Sequence, residues 1–90
     1  MRILWDEAKA ETNLRKHGVS FAEAATSLRN SLSVTGYDPD HSVAEDRFVT
    51  FGVSYKGRLL VVSHTEEGNV IRIISSRLAE KQERQIYEEG

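Results

Sequence analysis

The sequence predicts an α+β fold, a mostly antiparallel sheet with two N-terminal helices on one face and a C-terminal helix. Two observations predict it. Apolar residues recur at helical spacing across residues 6–28 and then at alternate positions across residues 31–76. Strands clustered between helices, in the order β-α-α-β-β-β-β-α, stack as separate layers, whereas a parallel α/β sheet would alternate the two element types.

Residues 1–5 read as a short strand. Asp6 then suits the N-cap of a helix that runs to His17, with Gly18 just past its end. Ser20 opens a second helix with a capping box, because Glu23 stands three residues on, and Phe21, Ala24, Ala25 and Leu28 form its apolar face. From Ser31 the period becomes two, with Leu32 and Val34 on an edge strand that leads into a loop over residues 36–46. Residues 47–55 set Arg47, Val49, Phe51, Val53 and Tyr55 on one face, and Lys56-Gly57 reads as a two-residue hairpin connection into residues 58–65. That turn pairs Val53 with Leu60, Phe51 with Val62 and Val49 with His64. Leu59 to Val62 is apolar on both faces, which predicts a central strand. A turn containing Gly68 and Asn69 precedes a last strand over residues 70–76. The tail over residues 79–89 has a helical composition with a thin apolar stripe of Ala79, Ile86 and Tyr87, so its docking is expected to be marginal.

Ninety residues suit one domain spanning 1–90. With 29 % charged residues, a net charge of −2 and one proline, the chain lacks the imbalance that marks disorder. It has no cysteine, which excludes disulfides, thiolate nucleophiles and cysteine zinc sites. Four apolar residues, 59–62, make the longest apolar run. This is far short of the ~20 of a membrane span or the ~7 of a signal core, so a cytoplasmic protein without a membrane role or a cleaved signal is expected. Residues 1–46 carry 5 basic against 8 acidic side chains and residues 47–90 carry 7 against 6. Any anionic ligand must therefore be held by local clusters, not by the whole-molecule field.

Two such clusters stand out. In the first helix Asp6, Lys9, Asn13 and Lys16 or His17 recur at steps of three and four beside an Ala10/Leu14 stripe. They read either as a solvated face or as a basic ridge presenting Lys9, Lys16 and His17 to phosphates. In the sheet, His64 has Arg47, Arg58, Arg72 and Arg77 on adjacent strands or their ends, and guanidinium forks match phosphate oxygens. The last hairpin has two registers. A Glu67-Gly68 turn sets His64 against Ile71 with Arg77 on the same face, and a three-residue turn sets it against Arg72. Asp38, Asp40 and His41 offer oxygen and nitrogen ligands, yet Asp-Pro reads first as a turn, and no metal site is assigned. No P-loop, nucleophile elbow or dinucleotide fingerprint occurs, so no cofactor is expected.

Three stretches in order carry a family likeness: Trp5-Asp6-Glu7-Ala8-Lys9 with Asn13 and Lys16-His17-Gly18-Val19-Ser20-Phe21; Asp46-Arg47-Phe48 with Gly57 to Val62 and His64-Thr65; and Ile71 to Ser75 with Arg77, Ala79, Glu83-Arg84 and Tyr87. Together they resemble the BrnT toxins of bacterial type II toxin–antitoxin pairs, which are similar in fold to RelE-like ribonucleases. The resemblance implies a growth-arresting endoribonuclease. It also implies a hetero-oligomer with a cognate BrnA-like antitoxin, whose ribbon-helix-helix part binds operator DNA. One departure is visible, since Glu80 stands where such sequences often place the threonine of a Thr-x-x-Glu capping box. Metal-free RNA cleavage requires a base, an acid and cations on the phosphorane oxygens. The candidates are His64 or His17 for proton transfer, Arg72 and Arg77 for the scissile phosphate, and Lys9, Lys16 and Arg84 for the flanking backbone. Tyr87 either stacks a base or anchors the tail. A second reading is a non-catalytic module that binds an acidic partner and acts with it in DNA-bound autorepression.

Overall fold

The computed structural model describes residues 1–90. Its elements are β1 (Arg2–Leu4), α1 (Glu7–His17), α2 (Phe21–Leu28), β2 (Val34–Tyr37), a 3-10 turn (Pro39–His41), β3 (Arg47–Val53), β4 (Leu59–Glu67), β5 (Val70–Leu78) and α3 (Lys81–Glu89). One five-stranded sheet runs in the order β1-β5-β4-β3-β2, with β1 parallel to β5 and every other pair antiparallel. The α+β expectation holds, with β4 central and β2 at the edge.

Both predicted caps form. Asp6 accepts a hydrogen bond from the Lys9 amide at 3.0 Å and Ser20 from the Glu23 amide at 3.0 Å, each filling a donor the first helical turn leaves free. The reciprocal half of the second box does not form. Glu23 instead turns its carboxylate inward, where Ser54 donates to it at 2.7 Å and the Arg58 Nε at 2.9 Å. The Arg58 guanidinium holds the Glu23 carboxyl below its usual range, although burial acts the other way. Arg58 is thus a structural partner of α2 and does not join an anion site.

The β3–β4 register differs by one residue from the sequence expectation. The connection is a three-residue loop, Tyr55 to Gly57, closed by the Ser54 amide donating to the Arg58 carbonyl at 2.8 Å, with Gly57 at φ +76°. This left-handed position costs a non-glycine residue strain, so the third loop position selects glycine. A one-residue slip exchanges sheet faces. The pairs are Gly52 with Leu60, Thr50 with Val62 and Phe48 with His64. The apolar Val49, Phe51 and Val53 therefore lie on the face away from α1 and α2.

Small residues on the helix side of β3 let α2 sit close. A Cβ built on Gly52 would stand 2.4 Å from the Ser27 carbonyl oxygen, a backbone atom that cannot swing aside. Gly52→Ala is expected to destabilise the fold by about 1–3 kcal/mol, as overpacked core positions do. An unchanged thermal midpoint would contradict this packing.

The β4–β5 register matches neither sequence alternative. Gly68-Asn69 forms the turn, Glu67 faces Val70 and His64 faces Ile73. A bulge then leaves Ile74 without a partner, because His64 pairs with Ile73 while Ser63 pairs with Ser75. Were the first register to continue, Arg77 would face Leu60 on the helix side. The extra residue sets Arg77 against Val61 on the open face instead.

The core joins Val19, Phe21, Ala24, Ala25 and Leu28 of the helical layer to Leu60, Val62 and Ile73 of the sheet. Leu14, expected in the inner stripe of α1, is exposed, and Asn13 is the buried residue of that helix. The reason lies in β5, whose outer edge is covered by β1 only as far as Arg72. Beyond it, Asn13 takes the place of a strand. Its amide nitrogen donates to the Ser76 carbonyl at 2.9 Å and its oxygen accepts from the Ser76 amide at 3.1 Å. The same nitrogen donates to the Val19 carbonyl at 2.9 Å. Buried backbone groups need such partners, so the inward stripe of α1 is polar.

Candidate active site

Because α1 lies along the free edge of β5, its last turn reaches round to the open sheet face. Lys9, Lys16 and His17 line a groove of about 330 Å³ with Ile74 and Ser75. His17 and Ser75 also line an adjoining cavity of about 290 Å³ whose floor is Val49, Phe51, Val61 and Ser63, and whose walls are Arg77, Asp38, His41 and Glu83. Four of the sequence candidates, Lys9, Lys16, His17 and Arg77, therefore line two adjoining cavities that share His17 and Ser75.

Arg77 is held firmly. Its Nη1 and Nη2 donate to the two Glu83 oxygens at 2.8 and 3.0 Å, and Nη1 donates also to the Leu78 carbonyl at 3.2 Å. These bonds to Glu83 raise the affinity of the guanidinium for its proton, and the same bonds hold the Glu83 carboxyl below its usual range. The Nε–H and one Nη2–H are left over, and they form the side fork that fits two oxygens of a phosphate. Glu83 also accepts from the Glu80 amide at 2.8 Å, so the start of α3 is fixed despite the unfavourable N-cap residue.

The other candidates lie elsewhere. His64 is fully buried on the helix side of the sheet, opposite Arg72 and Arg77, stacked on Phe48 with ring centroids 6.1 Å apart. Its Nε2 is 2.7 Å from the Thr50 hydroxyl, which is itself 2.7 Å from that of Thr35. The expected convergence of His64 with the arginines is therefore corrected, since both register changes separate their faces. Arg72 is on the open face but pairs with Glu45 at 2.7 and 2.8 Å, near Arg47 and away from the groove. Arg84 donates to the Ala79 carbonyl at 3.0 Å. Tyr87 donates to the Leu32 carbonyl at 2.8 Å and, with Val34, Phe51 and Ile86, encloses an apolar space under α3, so it anchors the tail.

Burial also pushes the His64 imidazole below its ordinary range, so the folded protein holds it neutral. The unfolded chain binds its proton near pH 6.5, the usual imidazole value of about that figure. Stability from this group is therefore complete above that pH and falls as the pH drops toward the depressed folded value. The expected slope is at most about 1.4 kcal/mol per pH unit. Urea midpoints between pH 7.5 and 5.5 should fall for the native chain and stay nearer level for His64→Gln. A native midpoint that does not move contradicts the neutral assignment.

Asp38 and His41 were legible only as a turn or as loose metal ligands, and the structure brings them into the groove. No group of three carboxylate or imidazole side chains arranged to hold a metal ion forms around them. The signal that finds them is Asp-Pro-x-His, in which a Pro-initiated 3-10 turn sets the first and fourth side chains on one side.

The open sheet face presents a fixed guanidinium, two lysines and an imidazole, side chains whose donors match phosphate oxygens. Residues 5–83 match the family described as "Ribonuclease toxin, BrnT, of type II toxin-antitoxin system". The structure is similar to the crystal structure of the Brucella abortus ribonuclease toxin BrnT, with a TM-score of 0.64 and 28 % sequence identity, covering 90 % of this chain and 99 % of that one. A search of curated proteins gave no significant match. The class is that of the ribonuclease toxins of type II toxin–antitoxin systems, whose partner is a protein antitoxin. Within it, this chain belongs to the BrnT family. No helix is long and apolar enough to cross a membrane.

Proposed function

We propose that the chain is a cytoplasmic endoribonuclease of RelE-like type that cuts RNA by acid–base chemistry of its own side chains, without a metal. The observation that carries this reading is the placement of Arg77, His17, Lys9 and Lys16 along two adjoining cavities of a BrnT-family fold, joined at His17. Arg77 would hold the scissile phosphate through its side fork and stabilise the charge that builds on the phosphorane oxygens. Lys9 and Lys16 would hold the flanking backbone. The ribose 2′-oxygen gives up its proton and bonds to phosphorus, the P–O5′ bond breaks, and a proton is delivered to the 5′-oxygen. The products are a 2′,3′-cyclic phosphate and a 5′-hydroxyl. His17, the imidazole of the first helix, serves one of these two proton transfers, and His64, which is walled off, serves neither.

A BrnA-like antitoxin with a ribbon-helix-helix part would neutralise the toxin and carry the pair to operator DNA. The test is incubation of the purified chain with RNA in excess EDTA. Cleavage to cyclic-phosphate ends supports the proposal. Intact RNA alongside tight antitoxin binding favours the non-catalytic binding module, and cleavage that EDTA abolishes replaces the metal-free chemistry with a metal-dependent one.

A further inference from the structure

An in-line displacement takes a proton on one side of the phosphorus and delivers one on the other, a division that suits two separate groups, and the groove holds a second imidazole. We propose that His41, oriented by Asp38, is a catalytic residue of this site and takes the proton of the ribose 2′-hydroxyl; the inference rests on the ribonuclease reading above. His41 Nδ1 lies 2.8 Å from Asp38 Oδ2. An ionised carboxylate only accepts, so Nδ1 carries the hydrogen and donates it, which leaves Nε2 as a free acceptor. The imidazole is 68 % exposed while its carboxylate partner is only 21 % exposed, so the pair presents a ring to solvent on a sheltered anchor.

The backbone beneath the pair is fixed. The Asp38 amide donates to the Arg47 carbonyl at 2.9 Å, Ser42 Oγ donates to the Asp38 carbonyl at 2.6 Å, and the Arg47 amide donates to Ser42 Oγ at 2.9 Å. The loop is thus tied to the first residue of β3. His41 shares its cavity with Arg77 and His17, each from a different element, so a phosphate on the Arg77 fork would share that cavity with two imidazoles.

The atoms balance. His41 Nε2 takes the 2′-hydroxyl proton as the 2′-oxygen bonds to phosphorus, and Asp38 stabilises the imidazolium so formed. His17 gives its proton to the 5′-oxygen as the P–O5′ bond breaks. Asp38 touches no reacting atom and is a positioning residue.

The experiment measures cleavage of an RNA oligonucleotide by the native chain, His41→Gly, Asp38→Asn and Arg77→Ala, each checked by circular dichroism, with and without added imidazole. His41→Gly is expected to lose roughly 10²- to 10⁴-fold in kcat with little change in KM, the usual worth of a general base. Free imidazole should restore part of the rate, which a purely structural role would not allow. Asp38→Asn keeps the loop and should lose rate that imidazole does not restore. His41→Gly at the native rate, or slow and insensitive to imidazole, overturns the assignment of His41 even when Arg77→Ala is inactive. Arg77→Ala at the native rate places the site outside this groove and overturns the dyad, and a native chain that leaves RNA intact overturns the ribonuclease reading itself.

Discussion

Arg77→Ala is expected to lower RNA cleavage by roughly 10²- to 10³-fold, the usual loss when one preorganised charge donor to a transition state is removed. The substitution removes the side fork that is left after Glu83 and Leu78 have taken the other N–H groups. It also releases α3, which has no buried residue, so the core that unites the helices and sheet should persist. Arg77→Lys keeps the charge and loses the planar fork, and should fall between the two. Glu83→Gln keeps the guanidinium but leaves it one acceptor in place of two and loosens the hold on α3, so cleavage should fall by less than in Arg77→Ala. Initial rates with a fluorescent oligonucleotide, beside melting curves, check the series. An Arg77→Ala chain that cuts at the native rate moves the site elsewhere.

Asn13→Ala is expected to cost about 3 kcal/mol or more of the ~5–15 kcal/mol that holds a domain of this kind together. Three hydrogen bonds vanish at once, and the orphaned partners are backbone groups, the Ser76 carbonyl and amide and the Val19 carbonyl. The amide and carbonyl of Ser76 sit at a sheet edge that no strand covers, so the side chain stands in for the missing neighbour. Because the same bonds press α1 against β5, His17 should also drift from Arg77, and cleavage should fall in the fraction that remains folded. Equilibrium urea denaturation measures the first effect. A loss below about 1 kcal/mol would mean that water replaces the side chain at little cost.

Local chemistry was legible and long-range register was not. Asp6 and Ser20 cap where their residue types require, and the change of period from helix to strand places every element within a few residues of its observed bounds. The errors arose where one residue decides a face. A loop ending in Gly57 closes equally well on two or three residues in pattern, and only the approach of α2 to Gly52 selects the longer one. The bulge at Ile74 has no sequence signature, yet it turns Arg77 outward. His64 looked available because four arginines lie on adjacent strands or their ends, and it is the threonine pair across β3 and β2 that accommodates a buried imidazole. The basic ridge of α1 was legible as spacing. Its inward polar residue was not, because nothing in the helix reveals that a strand edge lies beside it.

The most direct measurement is a crystal structure with a short RNA whose ribose at the cleavage point lacks the 2′-hydroxyl. The phosphate 3′ to that ribose should lie on the open sheet face, within about 3 Å of the Arg77 Nε and Nη2 atoms, the ordinary reach of a charge-assisted hydrogen bond. His17 should stand on its 5′-oxygen side. A phosphate bound instead beside Arg47 and Arg72, or on the helical face near His64, would contradict the account.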